Sequence, residues 1–68
     1  VTPSLDTLSP REREYLVLYA QGLTMKEIAR QVNRSHRTIE LVLTHAKERT
    51  AVKNLVQLVV MAAKAGWV

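Results

Sequence analysis

The sequence predicts an all-α domain of four helices, and three kinds of observation predict it. Apolar residues recur with helical periodicity in four separate segments, a capping residue stands before each, and Gly22, Asn33 or Gly66 stands where three of them stop. A chain of 68 residues has room for one core, and a domain of that size buries only about 60% of the surface its unfolded chain exposes. With no cysteine, neither a disulfide nor a thiolate metal site can staple it, so helix packing or self-association has to supply the stability.

Residues 1–8 contain Pro3 and Ser4 and no sustained period, so they read as an N-terminal lead-in whose Leu5 and Leu8 are expected to tuck under the domain, which runs over 9–66. The first helix opens on "SPRE". Ser9 is its cap, Pro10 fits the first helical position, and Glu12 can reach back so that two orphaned amides are satisfied reciprocally. Leu16, Tyr19 and Ala20 give it an apolar stripe that Tyr15 and Leu18 widen, and Gly22 stops it with a left-handed cap. "TMKE" is the next start, a second capping box from Thr24 to Glu27, with Leu23 placed to staple against Ile28. Ile28, Ala29 and Val32 form the buried face of this short helix, and Asn33, which tolerates positive φ, ends it.

Ser35 caps a third helix that buries Ile39, Val42, Leu43 and Ala46. "NLVQ" at 54–57 is a fourth capping box, with Gln57 reaching back to Asn54, and Gly66 is its stop. The helix between them is apolar on nearly every side. Leu55, Leu58, Val59 and Ala62 form its core stripe, which leaves Val56, Val60 and Ala63 outward for a dimer contact with another copy.

The net charge of +4 is unevenly placed. Residues 1–33 balance their charges, whereas residues 34–68 carry Arg34, Arg37, Lys47, Arg49, Lys53 and Lys64 against Glu40 and Glu48. Such an excess is found on ordinary solvated faces, and also on surfaces that attract polyanions, of which nucleic acid is the usual one for a soluble domain. With Ile39, Val42, Leu43 and Ala46 inward, the third helix turns Arg37, Glu40, Leu41, Thr44, Lys47 and Glu48 outward. This mixture of acceptor, apolar contact, hydroxyl and cations suits the donor, acceptor and methyl pattern of base edges in the major groove. In that reading Glu40 accepts from a cytosine amino group, Leu41 touches a thymine methyl and Arg37 forks onto guanine. A carboxylate near phosphates acts mainly by rejecting wrong bases. Affinity comes instead from Lys26, Arg34, Arg37 and Lys47, aided by helix N-terminal amides.

"LSPREREYL", "AQGLTMKEIA", "SHRTIE" and "VKN", at these separations, resemble the helix-turn-helix domain of the LuxR family of bacterial transcription regulators, also called the GerE or FixJ/NarL type. The resemblance covers the chain from Leu8 to about Ala63. It implies a four-helix LuxR-type helix-turn-helix fold whose third helix enters the major groove of double-stranded DNA and whose fourth commonly provides a homodimer contact. Glu40, Leu41 and Thr44 align with base-facing positions and Arg37 and Lys47 flank them. Thr24, Lys26, Ser35 and Thr38 match positions that approach the sugar-phosphate backbone. The sequence departs from the family at several points. Arg34 stands where an apolar residue is usual, and either moves a core contact or frees a charge for phosphate. Thr50 and Ala51 replace a usual Leu-Gly, so the third helix either runs on or bends there. Val42 and Leu55 replace frequent polar residues.

The remaining chemistry-bearing residues have plainer readings. His36 and His45 have no cysteine or carboxylate at ligand spacing, so no metal and no cofactor is expected, and His36 either caps a helix or approaches phosphate. Ser9 and Ser35 are caps with no base beside them, and no catalytic constellation marks an enzyme. Met25 and Met61 pack, and Trp67 is either a lid on the core or a terminal dimer contact. No apolar run spans a bilayer and no signal peptide opens the chain, so a cytoplasmic protein without a membrane partner is expected. Val1 in place of methionine fits an excised output domain better than a self-sufficient regulator. The alternative function is an interaction protein of the same fold that uses its apolar fourth helix to bind another regulator, and RNA polymerase is a further candidate partner of the chain.

Overall fold

The computed structural model describes residues 5–67, so the start of the expected lead-in, with Pro3 and Ser4, lies outside the described residues. Four α-helices follow in order: α1 (Pro10–Ala20), α2 (Met25–Val32), α3 (His36–Arg49) and α4 (Leu55–Lys64). Among the described residues there is no strand. Order begins before Ser9, because Leu5–Thr7 make a 3-10 turn closed by the Leu8 N–H on the Leu5 carbonyl at 3.2 Å. Leu5 and Leu8 pack against the core.

The start signals are local hydrogen bonds, and two of them are complete boxes. Glu12 N–H donates to Ser9 Oγ at 3.2 Å while Glu12 Oε1 accepts from Ser9 N–H at 2.8 Å, and Thr24 with Glu27 repeats both bonds at the same lengths. The fourth start corrects the expectation. Gln57 N–H donates to Asn54 Oδ1 at 2.9 Å, but the Gln57 side chain accepts from Lys53 N–H at 3.2 Å and not from Asn54. Asn54 is extended at φ −157°, where the other three caps lie between −72° and −75°, and this brings the preceding amide into reach.

Each stop is closed by an amide that reaches back five residues. Gly22 at φ 101° lets its N–H reach the Tyr19 carbonyl and the Leu23 N–H the Leu18 carbonyl, and Gly66 at φ 79° does the same with Ala63 and Ala62. Asn33 takes φ 58° at the end of α2, and the N–H groups of Asn33 and Arg34 both donate to the Ala29 carbonyl. Helix α3 does not run on past Arg49. Ala51 adopts φ 60°, its N–H donates to the Glu48 carbonyl and the Val52 N–H to the Lys47 carbonyl, so an alanine makes the turn that glycine makes elsewhere. Buried Thr50 steadies it, donating from Oγ1 to the Ala46 carbonyl at 2.8 Å.

Helix α1 touches the other three helices, and α3 also packs on α2 and α4. The innermost layer is Leu16, Ile28, Ile39, Leu43, Ala46, Leu58 and Ala62; burying each such Leu or Ile stabilises by roughly 1.5–3 kcal/mol before entropy is counted. Because α1 has three neighbours, its deep face begins a turn earlier than the expected stripe. Glu12, Tyr15 and Leu16 are buried, whereas Tyr19 and Ala20 are half-buried. Val42, Leu55, Val59, Met25, Met61 and Trp67 pack around this layer. The Arg13 guanidinium carbon lies 4.3 Å from the centre of the Trp67 ring. One copy of the chain covers α4 on one side only. Val56 is 70% exposed, Val60 45%, and Ala63 is exposed as well.

Candidate nucleic-acid interface

The turn between α2 and α3 is three residues long, and each has a defined part. Asn33 is left-handed, Arg34 is exposed, and Ser35 caps α3 by accepting from Thr38 N–H at 3.1 Å. The Arg34 side chain thus stands in solvent. Ser35 Oγ and Thr38 Oγ1 are also hydrogen-bonded at 2.8 Å. Of the pair's two hydroxyl protons, one lies between them and one remains for an outside acceptor.

Along α3 burial grades from an inner to an outer flank, with Val42, expected inward, only half-buried. Ile39, Leu43 and Ala46 are sealed, while Arg37, Glu40 and Leu41 are exposed and Thr44 and Lys47 are half-buried. His36 is the first residue of the helix and not its cap. Its Nδ1 lies 3.9 Å from Glu40 Oε2, one turn on, a pair that carries opposite charges only when the imidazole is protonated. Both side chains are about half exposed, so water screens the attraction. No acidic residue occupies the first turn of α3, whereas α1 has Glu12 and α2 has Glu27 there.

Thr24 and Lys26 are exposed at the start of α2. The Thr24 backbone and side-chain hydrogen bonds, in that order, hold the Glu27 carboxyl below its ordinary 4.5, and Arg30 adds a smaller pull in the same direction. The capping bonds leave the amides of Met25, Lys26, His36 and Arg37 without an intrahelical acceptor. Thr24 and Met25 from α2 and His36 from α3 line one open cleft with Tyr19, Gly22 and Leu23. The structure thus brings the beginnings of α2 and α3 together, and Tyr19 joins them unannounced by its place in the α1 stripe. Val56, Val60 and Ala63 belong to a different region, on the outer side of α4.

One contact was invisible to local pattern. Arg49, the last residue of α3, donates from Nη1 to Oε1 of buried Glu12 at 3.0 Å across 37 residues of chain. No helix among the described residues is long and apolar enough to cross a membrane.

Comparison with known proteins agrees with this arrangement. The family model described as "Bacterial regulatory proteins, luxR family" matches residues 6–62. Proteins of Mycobacterium bovis and of two strains of Mycobacterium tuberculosis, each provisionally named an HTH-type transcriptional regulator, are 38% identical over 60 residues, covering 88% of this chain. The chain spans only 7% of the length of these relatives. On the strength of the family match and the four-helix fold that carries it, the chain belongs to the luxR family of bacterial regulatory proteins.

Proposed function

We propose that the chain reads double-stranded DNA as the output domain of a cytoplasmic transcription regulator, with α3 laid in the major groove. The observation that carries this reading is the two-sided character of α3. Its inner flank is sealed in the core, and its outer flank offers Arg37, Glu40, Leu41 and Thr44. Those four are assigned to base edges, where a mixture of cation, acceptor, methyl contact and hydroxyl can discriminate base pairs. Thr24, Lys26, Arg34, Ser35, His36, Thr38 and Lys47 are assigned to the backbone. All but Lys47, which lies in the last turn of α3, surround the starts of α2 and α3, whose free amides favour phosphate, and no acidic residue stands in the first turn of α3.

The exposure of Val56 and Val60 favours a protein contact on α4, and a homodimer is the first choice. Two copies would then meet an inverted repeat whose half-site centres lie about one helical turn apart. A chain that binds another regulator or RNA polymerase through the same face, without binding DNA, is the competing reading.

Incubating the purified domain with a random pool of duplex DNA tests the choice. Bound fragments should share a motif, and affinity should fall steeply with salt. Three cations on phosphates, Lys26, Arg34 and Lys47, correspond to a slope of log K on log salt of about −2 to −3. Absence of binding even at low salt would overturn the DNA reading.

A further inference from the structure

Helix α3 is about 21 Å long, and its sealed flank meets its neighbours through Ile39, Leu43 and Ala46. Apolar contacts of this kind are non-directional, so they fix how closely the helix lies better than how it is rotated. A directional restraint stands at its last residue. Arg49 Nη1 donates at 3.0 Å to Glu12 Oε1, and the same oxygen accepts from Ser9 N–H at 2.8 Å. The Glu12 side chain is 6% exposed and that of Arg49 50%. The carboxylate is thus shielded from solvent, and loss of Arg49 would leave it buried and short of a bond. The side-chain bonds at Thr24, Ser35, Thr50 and Asn54 all close within four residues, whereas this one ties the start of the first helix to the end of the third.

We propose that Glu12 is a positioning residue for DNA reading: by holding Arg49 on the oxygen that caps α1, it sets the rotation of α3 and so the places of Glu40, Leu41 and Thr44. The inference rests on α3 being the reading helix. A rotation of about 10° about the axis of a helix whose side chains reach roughly 6 Å moves their tips by about 1 Å. Hydrogen bonds to base edges do not survive such a displacement, while flexible Lys and Arg stems follow phosphates through it. Loss of the restraint should therefore erode discrimination and leave non-specific affinity intact.

Glu12→Met removes both acceptor oxygens at similar length and keeps the Ser9 Oγ cap of α1, and Glu12 itself is buried away from the outer flank. Affinity would be measured for a duplex selected by the wild-type chain and for a random-sequence duplex, across salt, with folding checked by thermal melting. The expected result is a loss of roughly fivefold or more on the selected duplex, unchanged affinity for the random one and the same salt slope. Wild-type discrimination in folded Glu12→Met, or equal loss on both duplexes, would overturn the proposal. If Glu12→Met fails to fold, Arg49→Met removes the donor, keeps the Ser9–Glu12 box and is held to the same two outcomes. Should the wild-type chain bind no duplex at all, the DNA reading fails by itself. The positioning claim is then decided by amide chemical shifts of residues 40–44 in the free protein, which move in Glu12→Met if Glu12 sets the helix and stay in place if it does not.

Discussion

Replacing Ala51 with glycine should stabilise the domain. Ala51 sits at φ 60° with its N–H on the Glu48 carbonyl, and the next amide, that of Val52, reaches back to Lys47, so the positive φ is what lets α3 end as it does. An L-residue in this region carries a penalty of roughly 1–2 kcal/mol that glycine escapes. Glycine in turn loosens the unfolded chain by about 0.4–1 kcal/mol. The Ala51 side chain is exposed, so its methyl group contributes little burial. The balance is a gain of roughly 0.5–1 kcal/mol, which in a domain this small raises the melting temperature by about 2–8 °C. Thermal and urea unfolding followed by far-ultraviolet circular dichroism measure it, with the urea midpoint rising at unchanged slope. An unchanged or lowered midpoint would show that the left-handed alanine is unstrained, and the account of how α3 terminates would fall with it.

Other expectations concern the charged residues. Glu40→Ala should relax sequence preference by roughly 1–3 kcal/mol, whereas Lys47→Ala should weaken binding to every duplex and flatten the salt slope by about one unit. Titrations on selected and random DNA separate the two, and equal losses for both variants on both duplexes would refute the division between specificity and affinity. Because the Glu27 carboxyl is held below 4.5 in the folded chain, its capping contribution is present above that value and is lost as the pH falls through the lowered one. Carboxyl-carbon NMR should place its midpoint below 4.5, and Thr24→Ala, which removes the side-chain bond but keeps the larger backbone one, should raise it only part of the way back. A wild-type midpoint at or above 4.5 would contradict the capping geometry.

What could be read from the sequence was local. The pairs Ser9 with Glu12 and Thr24 with Glu27 lie three residues apart, so residue type and spacing already state the bonds that form. Glycine and asparagine announce the ends of α1, α2 and α4 because few other residues accept positive φ, and Ala51 gives no such notice. Gln57 carries the right side chain for a box, but the extended backbone at Asn54, which redirects it to Lys53, has no signature of its own. The outer flank of α3 follows from the positions of Ile39, Leu43 and Ala46, since fixing one face of a helix fixes the other. The Glu12–Arg49 bond and the gathering of Tyr19, Thr24 and His36 at one cleft depend on how helices cross, which periodicity along a single helix does not encode.

Trp67, beyond the turn at Gly66, packs on the core with the Arg13 cation over its ring, and it is the chain's one tryptophan. Its emission therefore belongs to a single seam, where the segment after α4 is fastened to the first helix. No second indole dilutes that signal. The domain in this way carries a label-free optical gauge of whether α4 stays seated.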